Sequence, residues 1–189
     1  MTGVASRRDA LGLAALTLGG LAAMAGEPAS SSGQGSLAAL AVEIAEGRDH
    51  VTAIQLAGWI MDRRAGLRVI DVRGRESDED AAIPTAERVS FAALLRTPFG
   101  RAEVVVLYSQ SDAHAAQGWV LLRLSGLGSV FFLRGGMDAW NDDVLHATFP
   151  ADASAEEAAA FARDEPVRRY FGGVPRSGTR EAPVRRRTC

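Results

Sequence analysis

The run Val104-Val105-Val106-Leu107-Tyr108 says more about the fold than any other part of the sequence. All of its residues are apolar or aromatic and the first three are β-branched, which is typical of a strand buried on both faces. Similar short runs lie at 67–72 and 130–133, and the segment 114–124 is predicted to form a helix between the second and third runs. Alternation of strands and helices at these spacings predicts an α/β fold with a parallel sheet.

Two further helices are predicted ahead of this region. Apolar residues of 37–46 share one helical face, and Thr52 is a candidate N-cap for a second helix. In open parallel sheets, binding sites lie at the carboxyl ends of the strands. Candidate site residues are therefore expected directly after Val72, Tyr108 and Leu133.

The composition is that of an ordinary globular protein, and it excludes several kinds of site. The 189 residues carry 21 basic and 23 acidic side chains, and every basic residue is arginine. Without lysine, the chain has no Schiff-base lysine and no phosphate-loop lysine. The one cysteine, Cys189, excludes an intramolecular disulfide and the usual Cys/His zinc sites. Three scattered histidines indicate no metal cluster, and we expect neither a metal nor a cofactor.

Four short segments, in chain order, resemble a rhodanese domain. They are Ile70-Asp71-Val72-Arg73, Ile83-Pro84-Thr85-Ala86, Val106-Leu107-Tyr108-Ser109 and Leu133-Arg134-Gly135-Gly136-Met137-Asp138-Ala139-Trp140. The family has an Asp-x-Arg strand end, an Ile-Pro-Gly-Ala-like turn, a Tyr-Cys loop that opens a helix, and a Gly-Gly-x-x-x-Trp segment. The resemblance covers about residues 50–145 and implies a rhodanese-like fold, with helices on both faces of the parallel sheet.

The loop that follows the tyrosine departs from the family pattern. Active rhodaneses have Cys-x-x-Gly-x-Arg there, and the cysteine carries sulfane sulfur as a persulfide. In this chain the matching residues are Ser109, Gln110, Ser111, Asp112, Ala113 and His114. The resemblance therefore puts Ser109 at the nucleophile position, Asp112 at the glycine position and His114 at the arginine position.

The serine predicts that sulfurtransferase activity is lost. A thiol at a helix N-terminus ionises near neutral pH, whereas an aliphatic hydroxyl needs a general base before it can attack. Oxygen also cannot carry labile sulfur as a persulfide does. The other two changes weaken anion binding, because Asp112 brings a negative charge to the loop and His114 is a weaker cation than arginine.

The loop 109–114 remains the predicted ligand-binding segment, with Asp71 and Arg73 as supporting residues. The plainer interpretation of this pair is a structural ion pair that holds neighbouring loops together. The resulting hypothesis is a binding module for a protein partner or for a small anionic or neutral ligand.

The alternative hypothesis is a residual enzyme. A hydrolase would use Ser109 as nucleophile with His114 as base and Asp112 as orienting group, although three residues this close in sequence seldom reach triad geometry. A sulfur carrier would use the same loop, or Cys189 as the missing thiol.

Residues 1–25 have the pattern of an export signal. The pair Arg7-Arg8 resembles a twin-arginine signal, and the uncharged apolar run 10–25 is shorter than the roughly 20 residues that a membrane-spanning helix needs. Cleavage before Gly26 would give an exported, periplasmic or otherwise extracytoplasmic protein; the alternative is an uncleaved anchor. Residues 26–49 are expected to form a linker, up to residue 36, and then the N-terminal helix.

Residues 146–189 are predicted to form a short helix and then a largely disordered, arginine-rich arm. Ser154 and Glu157 make a capping box for the helix. After Pro166 the chain has seven arginines against one glutamate, which suits either a solvated tail or contact with an anionic membrane surface. No nucleic acid is expected as a partner outside the cytoplasm. Cys189 is a candidate for a disulfide with a partner protein.

Overall fold

The computed structural model describes residues 31–74 and 82–178. The predictions for the export signal, for Cys189 and for the last arginines of the arm lie outside these residues. Met1–Ala39 and Leu40–Cys189 are two compact units, and helix α1, Ser31–Ala45, begins in the first. This helix starts at Ser31 rather than after residue 36, so the expected linker is partly helical. None of the helices in the described ranges is long and apolar enough to cross a membrane.

The core of the second unit is a five-stranded parallel sheet. Its strands are β1 His50–Val51, β2 Leu67–Asp71, β3 Glu87–Arg88, β4 Val104–Tyr108 and β5 Val130–Leu133. Their order across the sheet is β1-β5-β4-β2-β3, which puts β4 in the centre. The prediction of a parallel sheet is confirmed, and β4 has the bounds expected from its apolar run.

Helices cover both faces of this sheet, as predicted. They are α2 Ala53–Met61, a 3₁₀ helix Phe91–Arg96, α3 Ala113–Leu124, α4 Gly136–Trp140 and a π-helical turn Asn141–Leu145. On one face α2, α4 and the π-helical turn pack with Val106 and Tyr108, and on the other α3 and the 3₁₀ helix pack with Val105 and Leu107. Side chains alternate along a strand, so β4 contributes to both apolar clusters.

The segment after residue 146 is more ordered than the sequence predicts. It contains β6 Thr148–Pro150, α5 Ala155–Arg163, α6 Glu165–Tyr170 and β7 Arg176–Gly178, and β6 pairs with β7. The capping box at Ser154 is present at the start of α5. The predicted short helix is therefore present, whereas the helix Glu165–Tyr170 and the strand Arg176–Gly178 lie where a largely disordered arm was expected.

Arg168 ties this segment to the residues before it. It is only 6% exposed, its Nε donates to the carbonyl oxygen of Asp143 at 2.9 Å, and its Nη1 donates to that of Phe161 at 2.8 Å. The guanidinium also lies over the Phe161 ring, 4.1 Å from its centroid. Arg168 also forms an ion pair with Asp164, with Nη2 at 3.7 Å from Oδ2. Counting arginines favoured a solvated tail, but composition does not reveal that backbone carbonyls, an aromatic face and a neighbouring carboxylate bind this side chain.

Thr85 carries backbone strain in the turn between β2 and β3. Ala86 N donates to Ile83 O at 3.1 Å across this turn, and Thr85 has a φ of +68°. A turn with Pro84 in its second position and a positive φ in its third is of type II, which favours glycine there. For a β-branched residue this conformation is unfavourable.

Thr85→Gly is therefore expected to raise the free energy of unfolding, by about 0.5–1 kcal/mol. Relief of the positive φ outweighs the greater entropy that glycine gives the unfolded chain. Urea unfolding measures the change, and Thr85→Ala, which removes only the β-branch, is expected to gain less. A glycine variant that is less stable than the natural protein would contradict this account of the turn.

Candidate functional site

The loop 109–114 joins the end of β4 to the start of α3 and wraps around a glycine of α4. Gly136 has a φ of +58°. A Cβ atom on Gly136 would lie 2.4 Å from the carbonyl oxygen of Ser109, 2.8 Å from that of Gln110 and 2.6 Å from that of Ser111. Three successive loop carbonyls therefore converge on the space that a glycine leaves open.

Hydrogen bonds hold the loop against α4. Met137 N donates to Ser109 O at 2.9 Å, and Asp138 N donates to Gln110 O at 3.2 Å. The side chain of Gln110 adds a third bond, from Nε2 to Oδ1 of Asp138 at 2.6 Å. The loop is thus positioned by the backbone of the next helix, which gives it a fixed shape without a bound ligand.

This arrangement turns three backbone donors away from Gly136. In a trans peptide group the N–H and the C=O point in opposite directions, and the described residues contain no cis peptide bond. The N–H groups of Gln110, Ser111 and Asp112 therefore face away from Gly136. In the described part of the chain these three N–H groups have no hydrogen-bond acceptor. They can therefore donate hydrogen bonds to an oxygen atom of a ligand.

Ser109 is the first residue of the loop, and its hydroxyl makes a hydrogen bond within the loop. The residue is 3% exposed, and its Oγ donates a hydrogen bond to the carbonyl oxygen of Ser111. A hydroxyl that donates to a carbonyl is held inside the loop. It is not hydrogen-bonded to any base among residues 31–74 and 82–178.

The three candidate triad residues are not assembled into a triad. Asp112 is the N-cap residue of α3 and makes no side-chain capping bond, and both Asp112 and His114 are exposed. The imidazole of His114 lies beside the ring of Phe91, with centroids 6.2 Å apart. The described structure shows no hydrogen bond from Ser109 to His114 or from His114 to Asp112, so the geometry needed for acyl transfer is not present.

Asp71 and Arg73 form a buried ion pair at the carboxyl end of β2. Asp71 is 1% exposed and Arg73 is 8% exposed. Arg73 Nη2 donates to Asp71 Oδ2 at 2.7 Å, its Nε donates to Oδ1 at 3.0 Å, and its backbone N–H donates to Oδ1 at 2.9 Å. Arg88 joins them, with Nη2 at 3.2 Å from Asp71 Oδ2. One carboxylate therefore holds two guanidinium groups at this edge of the sheet.

The interactions within this cluster favour the charged forms of Asp71 and Arg73. Burial works against ionisation of Asp71, but hydrogen bonds from Arg73 outweigh it, so the pKa of this carboxyl lies below its ordinary value. The hydrogen bond to Asp71 in turn raises the pKa of Arg73. The ring of Tyr108 lies 5.4 Å from the Arg73 guanidinium carbon. Burial raises the pKa of Tyr108 to about 12. Asp71 is therefore ionised, and Tyr108 neutral, at neutral pH.

A cavity of about 890 Å³ opens beside the loop and the ion pair. We call it the arginine pocket, and its polar and aromatic walls are Arg73, Arg88, Ser90, Phe91, His114 and Gln117. The described residues contain no group of three or more His, Cys, Asp and Glu side chains that could hold a metal ion. The described lining offers guanidinium, hydroxyl, imidazole and amide groups to a ligand.

The Rhodanese-like domain family matches residues 52–143. This chain contains a rhodanese-like domain. The match includes the loop 109–114, the Asp71–Arg73 pair and Gly136, whereas α5, α6 and the β6–β7 pair lie beyond it. The rhodanese-like fold expected from the four short segments is confirmed.

Three solved structures that are similar to this chain share less than 25% of its sequence. A rhodanese-like domain protein from Staphylococcus aureus is 21% identical, with 50% of this chain and 92% of that chain covered and a TM-score of 0.45. The Alr3790 protein from Anabaena is 24% identical, with 48% and 75% covered and a TM-score of 0.45. A Rhodopseudomonas palustris protein of unknown function, described as a possible tyrosine phosphatase, is 20% identical, with 50% and 80% covered and a TM-score of 0.45. No curated protein matches the chain significantly.

Sequence reasoning missed part of the rhodanese-like domain's site. Arg88 reaches Asp71 because β3 pairs with β2 in a register that puts Asp71 beside Arg88. That strand has only two residues, too few for a periodic pattern. Phe91 and Gln117 line the arginine pocket from a 3₁₀ helix and from the first turns of α3. The only sequence signal for Gln117 was its place one turn after His114 on a predicted helix.

Proposed function

We propose that this chain is an exported rhodanese-like domain protein without sulfurtransferase activity, which acts as a ligand- or partner-binding module. The binding segment in this proposal is the loop 109–114, with Asp71 and Arg73 supporting it. One observation carries the proposal: the resemblance aligns Ser109 with the sulfur-carrying residue, and its hydroxyl is buried and donates to Ser111 O.

The chemistry of that serine supports loss of sulfur transfer. An acceptor residue must present a nucleophile to the donor and then hold the sulfur in a bond weak enough to pass it on. The Ser109 hydroxyl stays protonated at neutral pH, its proton is used inside the loop, and no base contacts it in the described structure. Both halves of the transfer therefore lack a chemical basis at this position.

The geometry of the loop supports retained binding. Three N–H groups face away from Gly136 and have no described acceptor, and the loop is fixed by three hydrogen bonds to α4. A binding surface that is fixed before the ligand arrives loses little conformational entropy on binding. The loop is therefore suited to bind an oxygen atom of a ligand without catalysing a reaction of that ligand.

The purified protein is expected to form no thiocyanate from thiosulfate and cyanide above the rate without protein. Ser109→Cys alone is expected to restore little turnover, because Asp112 and His114 still stand where the family has glycine and arginine. The matched control is the triple variant Ser109→Cys, Asp112→Gly, His114→Arg, which restores all three positions and should be the more active of the two. Thiocyanate formation by the natural protein that disappears in Cys189→Ser would contradict the proposal and assign the thiol role to Cys189.

The ends of the chain belong to the same proposal. The apolar run 10–25 behind Arg7-Arg8 supports export through a twin-arginine route. The arginines after Pro166, apart from the buried Arg168, support contact with an anionic membrane surface. Cys189 would then face an oxidising compartment and could form a disulfide with a partner.

Export is tested at the mature N-terminus. We expect protein recovered from the periplasm to begin at Gly26, as measured by intact mass. A substitution of both Arg7 and Arg8 by Lys should retain the precursor inside the cell. Periplasmic protein that still begins at Met1 would favour the uncleaved anchor instead.

A further inference from the structure

We propose that the arginine pocket binds an aromatic carboxylate, a flat apolar ring that carries one carboxylate group. The inference rests on the proposed function, because Arg73 and His114 belong to the candidate site. It adds the chemical class of the ligand and places it beside the loop rather than on the serine.

The size and lining of the pocket suit an organic ligand rather than an inorganic ion. Its volume of about 890 Å³ lies in the range of small-molecule sites, roughly 300–1,000 Å³, and far exceeds the space that one sulfate fills. Val72 and Phe91 give the walls an apolar part, and the ring of Phe91 lies 6.2 Å from that of His114. A flat ring can pack against this aromatic wall.

The charge of the pocket selects an anionic head group. The described lining contains two arginines and no acidic side chain, and the two arginines share the one buried carboxylate of Asp71 behind them. Arg73 binds Asp71 through Nε and Nη2, which leaves its Nη1 unused by that ion pair. Because a guanidinium group donates in a planar fork, it matches the two oxygens of a carboxylate better than an ammonium group would.

Both walls of the pocket are held by the fold. Arg73 is fixed by bonds from its backbone and side chain to a buried carboxylate, and Arg88 approaches the same carboxylate. Phe91 packs beside Gly118 of α3, where a Cβ atom would lie 3.6 Å from the phenylalanine Cε2. The side chains that would receive the head group and the ring are thus positioned before binding, which favours affinity.

The test is calorimetric titration of the purified full-length protein with 2-naphthoate. Neutral 2-naphthamide tests the need for charge, and sodium sulfate tests for a simple anion site. We expect 2-naphthoate to bind, 2-naphthamide to bind at least tenfold more weakly, and sulfate neither to bind nor to compete. Absence of 2-naphthoate binding, equal binding of the amide, or full competition by sulfate would each overturn the proposal.

Two arginine variants locate the binding. Arg88→Gln is expected to weaken 2-naphthoate binding at least tenfold, whereas Arg96→Gln, which removes an exposed arginine of the 3₁₀ helix outside the pocket, should leave it unchanged. Equal effects of the two variants would overturn the assignment. Thiocyanate formation, measured on the same samples, tests the proposed function separately. If the protein forms thiocyanate, the proposal that it lacks sulfurtransferase activity is wrong, whether or not 2-naphthoate binds.

Discussion

Gly136→Ala is expected to lower the free energy of unfolding by at least about 3 kcal/mol. At a φ of +58° an alanine is strained, and its Cβ would lie within 2.8 Å of three loop carbonyl oxygens. The loop cannot move aside cheaply, because α4 donates hydrogen bonds to two of those oxygens. Urea unfolding followed by tryptophan fluorescence measures the loss.

Two other glycines serve as controls for this prediction. Gly126→Ala has a φ of +95° but no atom within 4 Å of the new Cβ, so it isolates the backbone strain and should cost only about 1 kcal/mol. Gly58→Ala lies within α2 in open space and should be neutral or stabilising. If Gly136→Ala costs no more than Gly126→Ala, the loop does not wrap around α4 as described.

Asp71→Asn is expected to be the second severe change, with a loss of about 3–5 kcal/mol. The carboxylate is 1% exposed and holds the guanidinium groups of Arg73 and Arg88, so its removal leaves a buried cation without its counter-charge. By contrast, Glu46→Gln breaks an exposed ion pair with Arg48 and should cost no more than about 0.5 kcal/mol. Chemical unfolding of the two variants in the same buffer gives the comparison.

The same carboxylate makes stability depend on pH in a defined direction. The pKa of Asp71 is lower in the folded protein than in the unfolded chain, so the folded state favours the ionised form. Its stabilising contribution is fully present above the unfolded-state pKa of about 3.9 and is lost as the pH falls towards the folded-state value. Asp71→Asn should therefore flatten the acid limb of the stability curve. An unchanged acid limb would show that Asp71 is not the group responsible.

The parts of the fold that sequence predicts are those with a local physical cause. Strands β4 and β5 have the expected bounds because continuous apolar runs of this length need burial on both faces. The helix after Thr52 begins where expected because a threonine side chain accepts a hydrogen bond from Gln55 N. The residues that determine each of these elements lie within the element or next to it in the sequence.

The parts that sequence does not predict depend on distant partners. Strand β1 has only two residues, His50 and Val51. It forms because these residues pair with β5, about 80 positions later in the sequence. The burial of Arg168 depends on carbonyl groups of Asp143 and Phe161, which any residue could supply. At the candidate site, the loop and the Asp71–Arg73 pair could be predicted, but the arginine pocket depends on the register of β3.

The strand order has a consequence for synthesis of the chain. Strand β1 finds its partner only in β5, so a nascent chain cannot complete its sheet until Leu133 has left the ribosome. Before that point β2 and β4 can already pair, and one edge of β4 then remains uncovered. Pairing between positions so far apart in the sequence slows folding and prolongs the exposure of an apolar edge that attracts chaperones or other chains.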